Sequence, residues 1–293
     1  MKTNVLFELL FTLCAALSAF AQERETVDLW PDLAPNETVR EPSVEASPGA
    51  AVRVTTPYLI ICRPEKQTSD SCVIIFPGGG FVSCSYDDGG IAHAKFWNST
   101  GRFSAVLVYR TPRPKSGPIY LPALQDAQRA IRYLRANADK YGIDPDKIGA
   151  QGFSAGGCLA LLAAVNSETN SYEPIDKLDE TSAKLAFSIP VYPAYVLDDG
   201  AKDANTNRGE GANVLPDFHF DAQTPPMCFL HGDADVYAPL GSVEAYKRLR
   251  KMNIPAEIHI FAKAPHGFPH WVDYPNTTGW RDRCAAWLDK MGF

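Results

Sequence analysis

Lys147-Ile148-Gly149-Ala150-Gln151-Gly152-Phe153-Ser154-Ala155-Gly156-Gly157-Cys158-Leu159-Ala160-Leu161 is the stretch on which the fold turns. A short strand-type run, Lys147 to Gln151, enters a G-x-S-x-G pattern, and a helix-forming run, Ala155 to Ala164, leaves it. The pattern alone is weak, since three fixed residues at ~7% each over ~290 positions recur by chance in roughly one chain in ten. Its context is what gives it meaning: strand, sharp turn and helix in immediate succession are what a nucleophile elbow requires. Glycines at 152 and 156 fit a turn where strand and helix cross closely, because side chains there would force them apart. Ser154 then projects from a strained turn at a helix N-terminus, whose dipole favours developing negative charge. A helix-capping serine with flanking glycines fits the same residues, but it accounts for nothing else in the chain.

Working outward, the runs Tyr58 to Arg63, Cys72 to Phe76, Ser104 to Tyr109, Leu185 to Val191, Met227 to Leu230 and Glu257 to Phe261 also have strand character. Between most of them lie helical patterns. Leu124, Ala127, Ile131, Leu134 and Ala138 recur at three- and four-residue intervals, and Trp280, Cys284, Trp287, Leu288 and Met291 do so at the end of the chain. Strands alternating with helices predict an α/β fold with a largely parallel sheet covered on both faces. The expected organisation is one domain over residues 22–293, opening with an irregular arm at about 22–54 that is rich in Pro, Glu and small residues. Asp198 to Pro226 reads as a long surface loop.

With 293 residues, 45% hydrophobic and 21% charged, the composition is that of a globular protein. A net charge of −6 makes nucleic-acid binding unfavourable. Residues 1–21 read as a secretory signal peptide, with Lys2 as the positive start, an apolar stretch from Val5 to Phe20 and an A-x-A cleavage signal at Ala19-Phe20-Ala21. The expected location is therefore secreted or periplasmic, and no later window is apolar and long enough to span a bilayer. Seven cysteines show no C-x-x-C pair, which rules out a structural zinc module on spacing. Cys62 and Cys72 are spaced to face each other across a hairpin, whereas the plainer reading makes the cysteines small buried hydrophobes.

Three further segments carry chemistry. Cys72 to Phe76 feeds Pro77-Gly78-Gly79-Gly80-Phe81, a glycine run whose backbone N–H groups can converge on one point. Gly79 or Gly80, together with Ala155, is expected to form an oxyanion hole. Met227 to Leu230 enters His231-Gly232-Asp233-Ala234-Asp235, so two carboxylates stand at a strand end, one of which should orient a histidine. Ile258 to Phe261 leads into Ala264-Pro265-His266-Gly267-Phe268, which supplies that histidine. His270 follows His266 at a metal-like interval, but Pro265 and Pro269 argue against the helix that would aim both at one ion. No metal and no cofactor are expected. His231 reads as an anchor of its turn, Asp233 as a brace of the acid loop, and His93, His219 and His259 as histidines without a companion motif. Phe81, Tyr86, Phe268 and Trp271 flank the proposed site, where aromatic rings either stack on a sugar or wall the pocket.

Four blocks carry a resemblance: Pro77 to Phe81; Leu124 to Ala130 through Gly142-Ile143-Asp144-Pro145 to Gly157; His231 to Asp235; and His266 to Phe268. Together with Leu29-Trp30-Pro31 and Ala34-Pro35 of the arm, they make the chain similar to the secreted acetylxylan-esterase-like, or "xylanase B-like", α/β-hydrolases. The resemblance implies an eight-stranded, mostly parallel sheet with helices on both faces and no large lid. Matched motif by motif, it implies Ser154 as nucleophile, Asp235 as acid and His266 as base, in the chain order of α/β-hydrolases. Ala238 departs from the bulkier Val that often follows the acid. The substrate implied is an ester, an acylated carbohydrate carrying acetyl groups. Two alternatives stand beside it. A prolyl-oligopeptidase-like serine peptidase shares the triad but normally carries a large accessory domain. A non-catalytic carbohydrate-binding relative would be signalled by loss of a triad member, and here all three positions are filled.

Overall fold

The computed structural model describes residues 25–198, 213–268 and 275–293. The expected signal peptide, Trp271 and His270, and half of the expected surface loop (199–212) lie outside these residues. The arm expected to be irregular is partly regular: it opens with strand β1 (Thr26–Asp28) and continues into a hairpin, β2 (Val44–Ser47) with β3 (Ala50–Val52). The reason is tertiary, because β1 pairs antiparallel with β4 (Tyr58–Cys62) and three residues need no periodicity of their own to complete a sheet edge.

The apolar runs then follow as β5 (Cys72–Phe76), β6 (Phe103–Val108), β7 (Ile148–Phe153), β8 (Ser188–Val191), β9 (Met227–Gly232) and β10 (Ala256–Phe261). Together with β1 and β4 they form one eight-stranded sheet in the order β1-β4-β6-β5-β7-β8-β9-β10. From β6 to β10 every pairing is parallel, while β4 and β1 add an antiparallel edge. Every residue of β5, β6, β7, β8 and β9 is buried, which explains why they read as continuous apolar runs rather than alternating ones.

Helices cover both faces of the sheet. They are α1 (Ala92–Ser99), α2 (Leu121–Ala136), α3 (Ala138–Tyr141), α4 (Ala155–Val165), α5 (Leu240–Lys251) and α6 (Trp280–Met291). The eleven residues of α4 are all buried, as befits a helix packed against β5, β7 and β8 on one side and α2 on the other.

The sheet order also corrects the hairpin expectation for Cys62 and Cys72. The neighbour of β4 is β6, so Cys62 stands opposite Ser104, and Cys72 stands between Phe103 and Ile148. No disulfide joins them.

The arm is fastened to α2 by the residues that carried the resemblance. Trp30, 3% exposed, donates from Nε1 to Asp126 Oδ1 at 2.9 Å. Asp126 also accepts from the backbone N–H and the guanidinium of Arg110, at 2.9 Å each. The guanidinium of Arg129 lies 5.1 Å from the Trp30 ring centre and donates to the Leu29 carbonyl at 2.9 Å. These donors replace part of the carboxylate's water shell, although burial still outweighs them and pushes the Asp126 carboxyl above its ordinary value.

Candidate active site

Because six neighbouring strands run parallel, their C-terminal ends open on one edge of the sheet, and the loops leaving β5, β7, β9 and β10 meet there. The elbow after β7 is sterically determined. Ser154 sits at φ 56°, ψ −117°, in the left-handed half of backbone space, where an L-residue persists only if its surroundings impose it. The imposition comes from both glycines. A β-carbon on Gly156 would stand 2.0 Å from the Phe76 carbonyl oxygen, and the Gly152 position is as tightly closed by Gly156 itself.

From that turn Ser154 Oγ lies 2.7 Å from His266 Nε2. On the far side of the imidazole, Nδ1 lies 2.9 Å from both Oδ1 and Oδ2 of Asp235. Asp235 is buried, and its Oδ1 also accepts from the Tyr237 backbone N–H at 2.8 Å. Burial pushes its pKa up, but hydrogen bonds from His231 and His266 outweigh burial and hold the carboxyl below the usual carboxylate range. The imidazole is further fixed by two tyrosine rings, Tyr192 and Tyr237, each centred 4.9 Å from it. The geometry is that of a hydroxyl, a base and an orienting carboxylate in series.

Of the two carboxylates at the end of β9, it is Asp235 that meets His266. Asp233 is exposed, and it is its backbone N–H rather than its side chain that braces the loop, by donating to Phe261 O at 2.9 Å. His231 anchors the turn as expected: buried, it lies 2.9 Å from Ser242 Oγ through Nδ1 and 2.9 Å from the Tyr237 carbonyl through Nε2. The acid and base loops are pressed together, since a β-carbon on Gly232 would lie 2.2 Å from the Ala264 carbonyl oxygen.

Gly78, Gly79 and Gly80 line a cleft of about 480 Å³ in front of Ser154. Gly79 and Gly80 have φ of 136° and 63°, and the carbonyl of Gly79 accepts from the backbone N–H groups of Val82 and Ser83. Among the described residues no backbone carbonyl accepts from the N–H of Gly79 or Gly80, and Ala155, the first residue of α4, carries one of the N–H groups that a helix leaves unpaired. The arrangement can therefore receive an anionic oxygen beside Ser154.

The flanking aromatics are placed differently from expectation. Phe81 is 1% exposed and packs 6.0 Å from both Tyr109 and Tyr195, while Phe268 is fully buried against Tyr192 and Phe261. Neither lines the cleft, and Tyr86 is turned to Glu45, whose Oε1 is 3.0 Å from its hydroxyl. The aromatic residues that do line the cleft are Phe153, Tyr192 and Tyr237, joined by Ser85 and Asp88 from the turn after the glycine loop. Tyr237 stood in plain view two residues past Asp235. Ser85 and Asp88 gave no signal, because a turn's direction is set by what it packs against.

Known proteins place this architecture. Residues 59–198 match the BD-FAE family model, a span that includes the glycine loop and the elbow. The endo-1,4-beta-xylanase B of Butyrivibrio fibrisolvens is 28% identical over 219 residues, covering 72% of this chain and 34% of that protein. The acetylxylan esterase of Xylanibacter ruminicola is 25% identical over 234 residues, covering 73% of this chain and 45% of that protein. The chain thus matches less than half the length of either relative. Among solved structures, the acetyl ester-xyloside bifunctional hydrolase of Caldicellulosiruptor lactoaceticus superposes with a TM-score of 0.71 and 27% identity, over 92% of this chain and 97% of that one. The family model over residues 59–198 and the shared architecture lead to one conclusion: this part of the chain is similar to the BD-FAE family, and the fold is that of the α/β-hydrolases.

Proposed function

We propose that this chain is a serine carboxylic-ester hydrolase that removes short acyl groups, acetyl above all, from plant or algal polysaccharides or oligosaccharides. The observation that carries the reading is the unbroken series from Ser154 Oγ through His266 to Asp235, with contacts of 2.7 and 2.9 Å. In the proposed reaction His266 Nε2 takes the Ser154 proton as Oγ attacks the ester carbonyl. Asp235 holds the Nδ1–H tautomer and stabilises the imidazolium. The N–H groups of Gly79 or Gly80 and of Ala155 receive the oxyanion, the alcohol leaves with the proton from His266, and water repeats the sequence on the acyl-enzyme.

The carbohydrate assignment is supported by the names of the xylan-associated relatives and by the character of the cleft wall. Ser85 and Asp88 offer acceptors to sugar hydroxyls on the cleft wall. Secretion, proposed from the Lys2 to Ala21 segment, would bring the enzyme to such polymers.

The test combines three assays on wild type and Ser154→Ala. A fluorophosphonate probe should label only the wild type. Acetate should be released from acetylated xylooligosaccharides, with a loss of roughly 10³-fold or more in Ser154→Ala while its melting temperature is kept. p-Nitrophenyl acetate should be cleaved with higher kcat/KM than the octanoate. Equal labelling of both proteins would remove the serine mechanism, and a preference for octanoate would remove the short-acyl reading.

A further inference from the structure

The sequence left His259 without a companion, but the parallel register of β9 and β10 supplies two. Glu257 is the register partner of Cys228, and Glu257 and His259, two residues apart, share one face of the edge strand. One donor atom from each, the Cys228 thiol, a Glu257 carboxylate oxygen and a His259 ring nitrogen, lie within 4.8 Å of one another. Glu257 Oε1 and His259 Nε2 are 2.6 Å apart. Behind them a fourth group arrives from α6, for the Cys284 thiol is in hydrogen-bond contact with that of Cys228. Both thiols are fully buried, while the side chains of His259 and Glu257 keep 21% and 43% exposure, so the cluster has a closed back and an open front.

The plainer reading is an ion pair lying over a buried thiol. It accounts for Glu257 and His259, yet it gives no reason for two thiols to sit behind them. The donor set as a whole is that of one metal class. Calcium and magnesium take oxygen ligands, whereas thiolate, imidazole and carboxylate together suit zinc. With the bond lengths usual for zinc, donors on a tetrahedral ion stand about 3.3–3.8 Å apart. To reach that arrangement the 2.6 Å His259–Glu257 contact opens by about 1 Å or less, and any donors standing as far as 4.8 Å apart draw together by about the same amount.

We propose that Cys228, Glu257 and His259 bind a zinc ion, and that the Cys284 thiol, which lies beside Cys228 but outside the set of donors within 4.8 Å of one another, moves in to complete it. On binding, the Cys228 thiol releases its proton to solvent as the sulfur–metal bond forms. The site is structural. Cys228 lies near the start of β9, about 13 Å along the strand from Gly232, where the loop to Asp235 begins. The ion would join β9, the edge strand β10 and α6, and edge strands are where a sheet most needs such fastening. The inference stands apart from the ester-hydrolase reading and does not depend on it.

The full chain, stripped with a chelator under reducing conditions, is titrated with Zn²⁺ or Co²⁺. One equivalent of zinc should bind and raise the melting temperature. Cobalt should show the intense visible bands of a tetrahedral site and a thiolate charge-transfer band. Cys228→Ser should abolish that band and weaken zinc binding by more than the roughly 10–100-fold that loss of an outer ligand contact costs. Glu257→Gln, a change on the open side, provides a second variant should Cys228→Ser fold poorly, and it should weaken zinc binding without removing the thiolate band. Chelation should leave kcat on p-nitrophenyl acetate unchanged below the melting range. Zinc bound equally by wild type and either variant, a cobalt spectrum lacking the thiolate band, or a Cys228–Cys284 disulfide in the untreated protein that blocks zinc uptake would each overturn the proposal.

Discussion

A β-carbon added to Gly152 would stand 1.9 Å from the carbonyl oxygen of Gly156, so the strand that enters the Ser154 turn and the helix that leaves it touch backbone to backbone. Neither side can yield easily. The obstacle is a main-chain oxygen within a fully buried helix packed on three strands, and no side-chain rotation relieves it.

Gly152→Ala is therefore expected to destabilise the protein by about 1–3 kcal/mol or more and to lower fluorophosphonate labelling of whatever remains folded. Urea denaturation followed by active-site titration measures both. Wild-type stability with wild-type labelling would contradict the contact.

The two carboxylates at the end of β9 should separate sharply. Asp235→Asn leaves His266 without its charged partner, and the expected loss in kcat is on the order of 10³–10⁴-fold. Asp233→Asn, altering an exposed side chain, should leave kcat/KM near the wild-type value. Steady-state kinetics on p-nitrophenyl acetate reads the ranking, and the reverse order would transfer the orienting role to Asp233.

Stability should depend on pH through the same residue. The hydrogen bonds of Asp235 to His231 and His266 hold its carboxyl below the ordinary value, against the push of burial, so between the folded and unfolded pKa values the unfolded chain binds more protons. This contribution is fully present above the unfolded carboxylate pKa of about 3.9 and is lost as pH falls through the lower folded value. The urea midpoint of wild type relative to Asp235→Asn should accordingly shrink on going from about pH 7 to about pH 3. A gap that widened on acidification would reverse the sign.

Trp30 supplies both packing and a hydrogen bond to buried Asp126. Trp30→Ala should cost about 3–5 kcal/mol, and Trp30→Phe, which keeps a ring but removes the N–H donor, about 1–3 kcal/mol. Thermal and urea melts give the order. Equal, small losses in both would mean the arm is not fastened there.

The fold and the order of the site's elements were legible in the sequence because each is a local consequence of local residues. Cys72 to Phe76 and Lys147 to Gln151 read as strands since residues 72–76 and 148–151 are all buried, and burial is written directly into composition. The elbow was legible because only glycine fits where two backbones touch, as at residues 152 and 156. What the tertiary structure alone decided are the encounters between loops and across strands. Asp235 rather than Asp233 faces His266; Tyr192 and Tyr237 rather than Phe81 and Phe268 face the cleft; Thr26–Asp28 closes a sheet edge without any period of its own. Cys228, Glu257 and His259 become neighbours only through the register of two strands. The physical reason is common to all of these. Periodicity records how much of a residue is buried, not which other segment buries it, and the direction of a side chain in a turn follows from contacts made dozens of residues away.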